Sequence, residues 1–253
     1  MGESGRRTAV VTGSTRGIGR AIGTRLVREG FNVVLNYASD DGAADAALSA
    51  CSAMTPHVML KKADVSKRAD VEDLMTAAAD KFGSLDVLVN NAARVADGPA
   101  LTMTDDEWER VIDTNLRGTF LCSQIAARHM IHQVDGGVIL NIGAATGLRA
   151  RKNGINTCAS KAGIMIMTQC LALELAPKVR VNSIIPGLTM TDEVVQRFNL
   201  TDPEVRQARL DAIPLKRIGA PEDVADAVML LLSPEAQFVT GQKLHIDGGQ
   251  YMF

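Results

Sequence analysis

The chain has 253 residues, enough for one large α/β domain with a sizeable core. Its 27 lysines and arginines nearly balance 29 aspartates and glutamates, which argues against a dedicated nucleic-acid or membrane-surface protein. No apolar run is expected to reach membrane-spanning length, and the N-terminal residues do not fit a signal peptide. The 4 cysteines lack CxxC spacing and indicate reduced thiols, so we expect a cytoplasmic protein.

The chain is organised around residues 8–19, which read TAVVTGSTRGIG. A short β-branched run is followed by Gly13, Gly17 and Gly19, and the segment then passes directly into a helical pattern. A buried strand, a glycine turn and a helix N-terminus in this order form a site for a dinucleotide pyrophosphate. The glycines allow a tight turn, a close approach of the phosphates and close packing of the helix on the strand.

Strands and helices then alternate along the chain. Predicted strands cover residues 9–11, 32–37, 57–63, 85–90, 137–142, 179–184 and 244–247. Predicted helices cover residues 18–29, 42–54, 67–82, 105–117, 119–133 and 155–177. Strands that are apolar on both faces indicate a Rossmann-type, doubly wound parallel sheet of seven strands with helices on both faces. No repeat or linker divides the chain, so we expect one domain over residues 1–253, with ligands at the carboxyl ends of the strands.

The end of the second strand indicates which dinucleotide binds. NAD sites usually place an acid there, against the ribose 2′-hydroxyl. Here the position holds an uncharged run: Asn36, Tyr37, Ala38 and Ser39. The first acid is Asp40, and Arg16 lies inside the glycine turn. A missing acid and an available guanidinium favour a 2′-phosphate, hence NADP(H), over the alternative of a plain surface arginine.

These motifs together resemble the short-chain dehydrogenase/reductase family, and within it the 3-oxoacyl-[acyl-carrier-protein] reductases and their relatives. The resemblance covers nearly the whole chain. It is carried by TGSTRGIG at 12–19, Asp64-Val65, NNAA at 90–93, Asn115, SKAG at 160–163, Val181-Asn182, Pro186-Gly187 and the blocks at 214–223 and 240–249. Ala93 stands where the family has glycine.

The resemblance implies a cofactor-binding set, a substrate lid over about 188–213 and a homotetramer or homodimer built on the helices at 105–133 and 155–176 with the C-terminal segment. The implied cofactor-binding residues are Gly13, Ser14, Thr15, Arg16, Gly17, Ile18, Gly19, Asn36, Tyr37, Ala38, Ser39, Asp64, Val65, Asn91, Ala92, Ala93, Ile142, Lys161, Pro186, Gly187, Thr189 and Thr191. The apolar side chains of the lid fit either a pocket wall or the packing of surface helices.

The family resemblance also implies a ketone/alcohol reaction in which a tyrosine donates the proton, a serine holds the substrate oxygen, and a lysine and an asparagine support proton transfer. The lysine is Lys161 and the asparagine is Asn115. Four residues before Lys161 stands Thr157 instead of tyrosine, and Ala144 stands thirteen residues before that instead of serine. A threonine hydroxyl is a far weaker acid than a phenol, and alanine cannot polarise a carbonyl.

Several groups are candidates to replace the missing acid. Lys161 itself can donate a proton if burial depresses its pKa, although nicotinamide-ribose binding is its other implied role. The loop that carries Thr146, Arg149, Arg151, Lys152 and Asn153 can polarise an oxyanion, bind an acidic substrate or simply be solvated. Tyr251 offers a phenol from a neighbouring subunit. We expect Cys158 to face the core. His129 and His132 lack a third ligand, so no metal site is predicted.

Two functions follow. The first is an NADP(H)-dependent oxidoreductase with an atypical proton donor. The second is a catalytically impaired pseudo-enzyme that binds NADP(H) as a binding or regulatory subunit. A third reading, in which Ala144 and Thr157 were introduced to abolish activity, is disfavoured by Ala93, since this residue also departs from the family pattern.

Overall fold

A computed structural model describes residues 5–252. Its core is one parallel sheet of seven strands in the order β3-β2-β1-β4-β5-β6-β7. The strands are β1 (Thr8–Val11), β2 (Asn32–Tyr37), β3 (Val58–Lys62), β4 (Val87–Asn90), β5 (Gly137–Ile142), β6 (Val179–Pro186) and β7 (Lys243–Ile246). The predicted doubly wound fold is confirmed.

Helices cover both faces of the sheet. They are α1 (Gly17–Arg28), α2 (Asp41–Ser52), α3 (Arg68–Phe82), α4 (Asp105–Ile112), α5 (Gly118–Met130), α6 (Ile155–Leu175), α7 (Asp192–Arg197), α8 (Pro203–Asp211) and α9 (Pro221–Leu232). Side chains of α1, α2 and α9 form one apolar cluster with the sheet, and those of α3, α5 and α6 form the other. Both faces of the central strands are therefore buried, which explains their continuous apolar sequences.

The predicted boundaries differ from the structure in three places. Strand β6 runs on through Ile185 and Pro186, which brings the start of the following segment to the same edge as the other strand ends. Helices α4 and α5 are joined by a π-helical turn, Asp113–Arg117, so the chain stays helical across the predicted gap. The segment 188–213 contains α7 and α8, two short helices that the sequence did not predict.

The expectation that no apolar run reaches membrane-spanning length is wrong for helix α6. Its 21 residues are long and apolar enough to cross a membrane by length and composition alone. The helix instead packs along β6, and it carries Lys161 on its buried face. A core helix of a parallel-sheet protein passes the same test, because it too is rich in apolar residues.

A chain of buried polar side chains crosses the sheet beneath the strand ends. Asn90 of β4 donates to Ser123 Oγ at 2.9 Å and to Asn141 Oδ1 of β5 at 2.8 Å. Asn141 Nδ2 donates in turn to Thr168 Oγ1 of α6 at 2.9 Å, and Thr168 Oγ1 donates to the Ile164 carbonyl at 2.8 Å. All these side chains are almost completely buried, so each bond replaces one that water would otherwise provide.

Replacing Thr168 by valine keeps the shape of the side chain and leaves Asn141 Nδ2 without its acceptor. We expect the free energy of unfolding to fall by about 1–3 kcal/mol, the penalty for an unsatisfied buried polar group. The same substitution at the exposed Thr201 is the matched control, with an expected change below about 0.5 kcal/mol. Urea titrations followed by circular dichroism measure both. Equal losses of unfolding free energy in the two variants would show that the hydrogen bonds among these buried polar side chains add no stability.

Candidate active site

The three glycines of the first turn lie where larger residues would collide with the chain. Gly13 and Gly17 have positive φ angles of 60° and 52°. A Cβ on Gly13 would lie 2.9 Å from Ala92 Cα, and one on Gly17 would lie 3.2 Å from Thr191 Cγ2. A Cβ on Gly19 would collide with the Gly13 carbonyl oxygen. The turn is therefore as tight as the sequence predicts, and it lies against the segments that follow β4 and β6.

The turn leaves the N-terminus of α1 available to an anion. No side chain caps this helix in the described structure, and its N-cap residue, Arg16, is extended and exposed. The first backbone N–H groups of a helix need partners, and a pyrophosphate provides them. The residues present thus fit a dinucleotide by an uncapped helix end and a glycine cradle, independently of any resemblance.

A second loop is fixed to this turn by hydrogen bonds. The backbone N–H groups of Asn91 and Ala92 both donate to Thr12 Oγ1 at 3.0 Å. Asn91 Nδ2 donates to the carbonyls of Thr12 and Gly13 at 3.0 and 2.9 Å. The ends of β1 and β4 are thereby held as one unit, while Ala93 is exposed at its rim.

The residues at the end of β2 are uncharged, and the first acid after them is Asp40. Asn36 is buried, and its side chain accepts from Gly13 N at 3.2 Å and donates to the Ala63 carbonyl at 3.0 Å. Asp40 is used as the N-cap of α2, where its carboxylate accepts from Ala43 N at 3.0 Å. Tyr37 is hydrogen-bonded to Asp41, which raises the pKa of the phenol. Asn36 thus supports the glycine turn, and Asp40 caps the N-terminus of α2.

The other predicted cofactor-binding residues lie at the carboxyl ends of strands or just beyond them. Ser14, Thr15 and Ile18 lie in the first turn; Ala38 and Ser39 follow β2, and Asp64 and Val65 follow β3. Ile142 ends β5, Pro186 ends β6, Gly187 and Thr189 follow, and Thr191 caps α7. All sit at one edge of the sheet, where the fold places ligands. Their role in binding stays a prediction.

Lys161 lies at the centre of this edge. It is buried on α6, and its Nζ donates to the carbonyl oxygen of Ile142 at 2.8 Å. Burial disfavours the charged ammonium and lowers the pKa of Lys161 to about 8. At neutral pH this lysine therefore holds a proton that it can release far more readily than an exposed lysine.

Asn115 lies in the π-helical turn, with a completely buried side chain. Its Oδ1 accepts from Arg94 N at 2.7 Å, and its Nδ2 donates to the Arg94 carbonyl at 3.0 Å and to Ser160 Oγ at 3.1 Å. Both amide hydrogens are thus used within the chain. Asn115 fixes the loop after β4 to α6 one residue before Lys161.

Ala144 and Thr157, at the positions where the resemblance implies serine and tyrosine, lie near each other in sequence but differ in environment. Ala144 is extended, follows β5 and is partly buried. Thr157 lies in the first turn of α6, and its hydroxyl donates to Asp97 Oδ1 at 3.0 Å. The same carboxylate forms a two-pronged ion pair with Arg151, with Nη2 at 2.8 Å from Oδ1 and Nη1 against Oδ2.

Asp97 is the residue that sequence reasoning missed. It follows β4 by seven positions, in a loop with no recognisable motif, and it meets Thr157 across 60 positions of sequence. The contact also changes the interpretation of the basic loop. Arg151 is paired with Asp97, while Arg149 and Lys152 are exposed. The loop is therefore less positive at the site than its sequence indicates.

One further expectation needs correction. Cys158 does not face the core: it is partly exposed and lines a cavity of about 500 Å³ with Thr146, Leu148, Arg151, Ile155 and Ala162. One position along a helix rotates a side chain by about 100°, which carries Cys158 to the outer face of α6. Tyr251 packs against Ala145, Met165 and Ile185 of its own chain, and its approach to a neighbouring subunit stays a prediction.

The apolar residues of the segment 188–213 form a small cluster of their own. Leu200 and Ile213 are buried, and Val194, Val195 and Phe198 pack against them. Of the two alternatives for this segment, the structure favours helix packing. The expectation that residues 188–213 close over substrate stays a prediction.

Comparisons with known proteins agree with this geometry. A family model described as enoyl-(acyl carrier protein) reductase matches residues 13–250. The 3-oxoacyl-[acyl-carrier-protein] reductase of Staphylococcus epidermidis is 37% identical over 247 residues, which is 97% of this chain and 99% of the relative. Glucose 1-dehydrogenase 2 of Bacillus subtilis is 40% identical over 249 residues, which is 98% of this chain and 95% of the relative.

A solved structure gives the same result. The short-chain dehydrogenase/reductase from Brucella melitensis, titled a glucose/ribitol dehydrogenase, superposes with a TM-score of 0.90 at 33% identity, covering 98% of this chain and 97% of its own. The fold, the glycine turn and the relatives matched over nearly their full length all indicate the same family. The chain belongs to the short-chain dehydrogenase/reductase family of oxidoreductases.

Proposed function

We propose that the protein is an NADP(H)-dependent oxidoreductase that interconverts a ketone and an alcohol, with Lys161 as its atypical proton donor. The observation that carries the proposal is the buried ammonium of Lys161, whose pKa is lowered to about 8 by burial. A catalytic acid works best when its pKa lies near the operating pH. Burial on α6 gives Lys161 this property.

The cofactor half of the proposal depends on the first turn and on the end of β2. Bound NADP(H) supplies or accepts the hydride. The uncapped N-terminus of α1 would hold its pyrophosphate, and the exposed Arg16 would pair with a 2′-phosphate, since the first acid after β2, Asp40, caps α2. Lys161 keeps its implied role at the nicotinamide ribose, so one residue both anchors the cofactor and moves the proton.

The proton step follows from the geometry of α6. Thr157 and Lys161 lie one helical turn apart on the buried face, and Thr157 already donates its hydrogen to Asp97. In reduction, the Lys161 ammonium gives a proton to the substrate oxygen as the carbonyl carbon receives hydride. In oxidation, the neutral amine takes the hydroxyl proton back. The carbonyl oxygen of Ile142, 2.8 Å from Nζ, holds the Lys161 side chain in one orientation whether the amine is protonated or neutral.

A second candidate is a protein that binds NADP(H) without turnover. It is favoured by one observation: the Thr157 hydroxyl, at the position of the missing acid, is already bonded to Asp97. This candidate predicts tight cofactor binding and no consumption of NADPH with any carbonyl.

We also propose a homotetramer, or a homodimer, in the cytoplasm. Large apolar side chains on the outer faces of the helices expected at subunit interfaces are exposed in the single chain, and they support this assembly. They are Trp108 on α4, Phe120 on α5, and Ile155, Ile166 and Leu173 on α6. The 4 free cysteines are consistent with a reducing compartment.

Replacing Arg16 by alanine tests the cofactor assignment. We expect the Kd for NADPH to rise about tenfold, the effect of losing one charge-assisted contact, while the Kd for NADH changes less than about twofold. Fluorescence titration of the bound cofactor measures both. Arg20→Ala, one turn further along the exposed face of α1, is the control and leaves both values unchanged. An equal loss for the two cofactors would show that Arg16 does not bind a 2′-phosphate.

The pKa of Lys161 sets the pH dependence of reduction. Because the protonated amine is the donor, kcat falls as the pH rises through about 8. Lys161→Met removes the proton and lowers kcat by about 10²–10⁴-fold, the usual contribution of general acid catalysis. Lys152→Met, on the exposed loop, serves as the control. Initial rates of NADPH oxidation with 3-oxoacyl thioesters and ketoses measure these effects. A kcat that stays constant between pH 7 and 9 contradicts the assignment.

A further inference from the structure

Three side chains that the reaction scheme does not use meet at the first turn of α6. Asp97 comes from the loop after β4, Arg151 from the loop after β5, and Thr157 from the helix itself. The Asp97 carboxylate accepts from both of the others. Thr157 lies one turn before Lys161, so this group, called here the Asp97 anchor, stands beside the proposed proton donor.

The loops that carry the Asp97 anchor are fixed to each other. Gly98 N donates to the Asn153 carbonyl at 2.8 Å, and Asn156 Nδ2 donates to the Ala96 carbonyl at 2.7 Å. Gly154 makes room for the arginine, because a Cβ there would lie 3.0 Å from Arg151 Cγ. The ion pair is therefore held in place before any ligand arrives, which lowers the entropy lost on binding.

The Asp97 anchor is neither sealed in the core nor freely solvated. The Asp97 side chain is 20% exposed and that of Arg151 is 27% exposed. Within the described residues, Oδ1 accepts two hydrogen bonds and Oδ2 accepts one, so lone pairs of the carboxylate stay available to a ligand. The guanidinium likewise keeps N–H groups that this carboxylate does not use.

These properties select the chemistry of the ligand. An ionised carboxylate only accepts hydrogen bonds, and the Thr157 hydroxyl, having donated to it, presents only lone pairs. A hydroxyl group of the substrate satisfies them. An apolar chain at the same place would remove water from the ion pair without replacing its hydrogen bonds, which is unfavourable.

We infer that Asp97 is a specificity-determining residue that binds a second hydroxyl, next to the reacting carbon, so that the substrates are vicinal diols and polyols. The neighbouring Arg151 donates to an oxygen of the same ligand. This inference rests on the proposed oxidoreductase function and names its substrate class. Asp97 acts in binding, and Lys161 still carries the proton.

The test compares butane-2,3-diol with butan-2-ol, which lacks the second hydroxyl, as substrates of the full chain with NADP⁺. We expect kcat/KM to be at least about tenfold higher for the diol, as a hydrogen bond to a charged group provides. Asp97→Asn should remove this preference by raising KM for the diol, with kcat within about threefold. Asp80→Asn, on the exposed face of α3, is the matched control.

A binding measurement keeps the test independent of turnover. The fluorescence of NADPH bound to the unaltered chain is titrated with each alcohol, and tighter binding of the diol is the expected result. The Kd for NADPH itself should not differ between Asp97→Asn and the unaltered chain, which also shows that the variant folds.

The outcomes that contradict the role of Asp97 differ from those that contradict the proposed oxidoreductase function. Equal kcat/KM and equal binding for the two alcohols, or a preference that survives in Asp97→Asn, overturns the role of Asp97. Reduction of 3-oxoacyl thioesters without any oxidation of diols overturns the substrate class and leaves the oxidoreductase standing. No turnover of any alcohol or carbonyl overturns both.

Discussion

One hydrogen bond, from Lys161 Nζ to the carbonyl oxygen of Ile142, determines what this site can do. It joins the end of β5 to α6 and holds the Lys161 amine where water is largely excluded. The lowered pKa of Lys161 follows from this burial. Near the lysine, two polar side chains are hydrogen-bonded to neighbours: Asn115 to the loop after β4, and Thr157 to Asp97. The edge is thus rigid, with the lysine as its titratable centre.

The glycine turn and the hydrogen-bonded polar side chains beneath the strand ends both hold this edge in place. Gly13 and Gly19 let the ends of β1 and β4 approach closely, so the cofactor cradle and the loop that carries Asp97 share one base. The chain from Asn90 to Thr168 fixes β4 and β5 to α6 below them. The edge is therefore well ordered, with Ala144 and Thr157 at the positions where the resemblance implies serine and tyrosine.

Local sequence patterns predicted the strands well. The bounds of β2 and β5 agree with the predicted ranges, because each is a buried β-branched run closed by turn residues. The position of the predicted cofactor-binding residues at one edge of the sheet followed from the parallel topology alone. The Asp97 anchor could not be predicted in this way: its members come from three segments, and only their packing brings Arg151 and Thr157 to one carboxylate. Cys158 was misplaced because a single helical step decides between the core and the outer face, and the apolar pattern of α6 marks both faces alike.

The most direct test of the account compares NADPH consumption by the unaltered chain with that of the double variant Ala144→Ser/Thr157→Tyr, on a panel of 3-oxoacyl thioesters, ketoses and a 3-oxosteroid. If Lys161 carries the proton, the unaltered chain turns over at least one carbonyl at a rate within about tenfold of the double variant, well inside the factor that general acid catalysis provides. If only the double variant consumes NADPH, the pocket is that of a reductase whose proton donor has been lost, and Lys161 does not replace it.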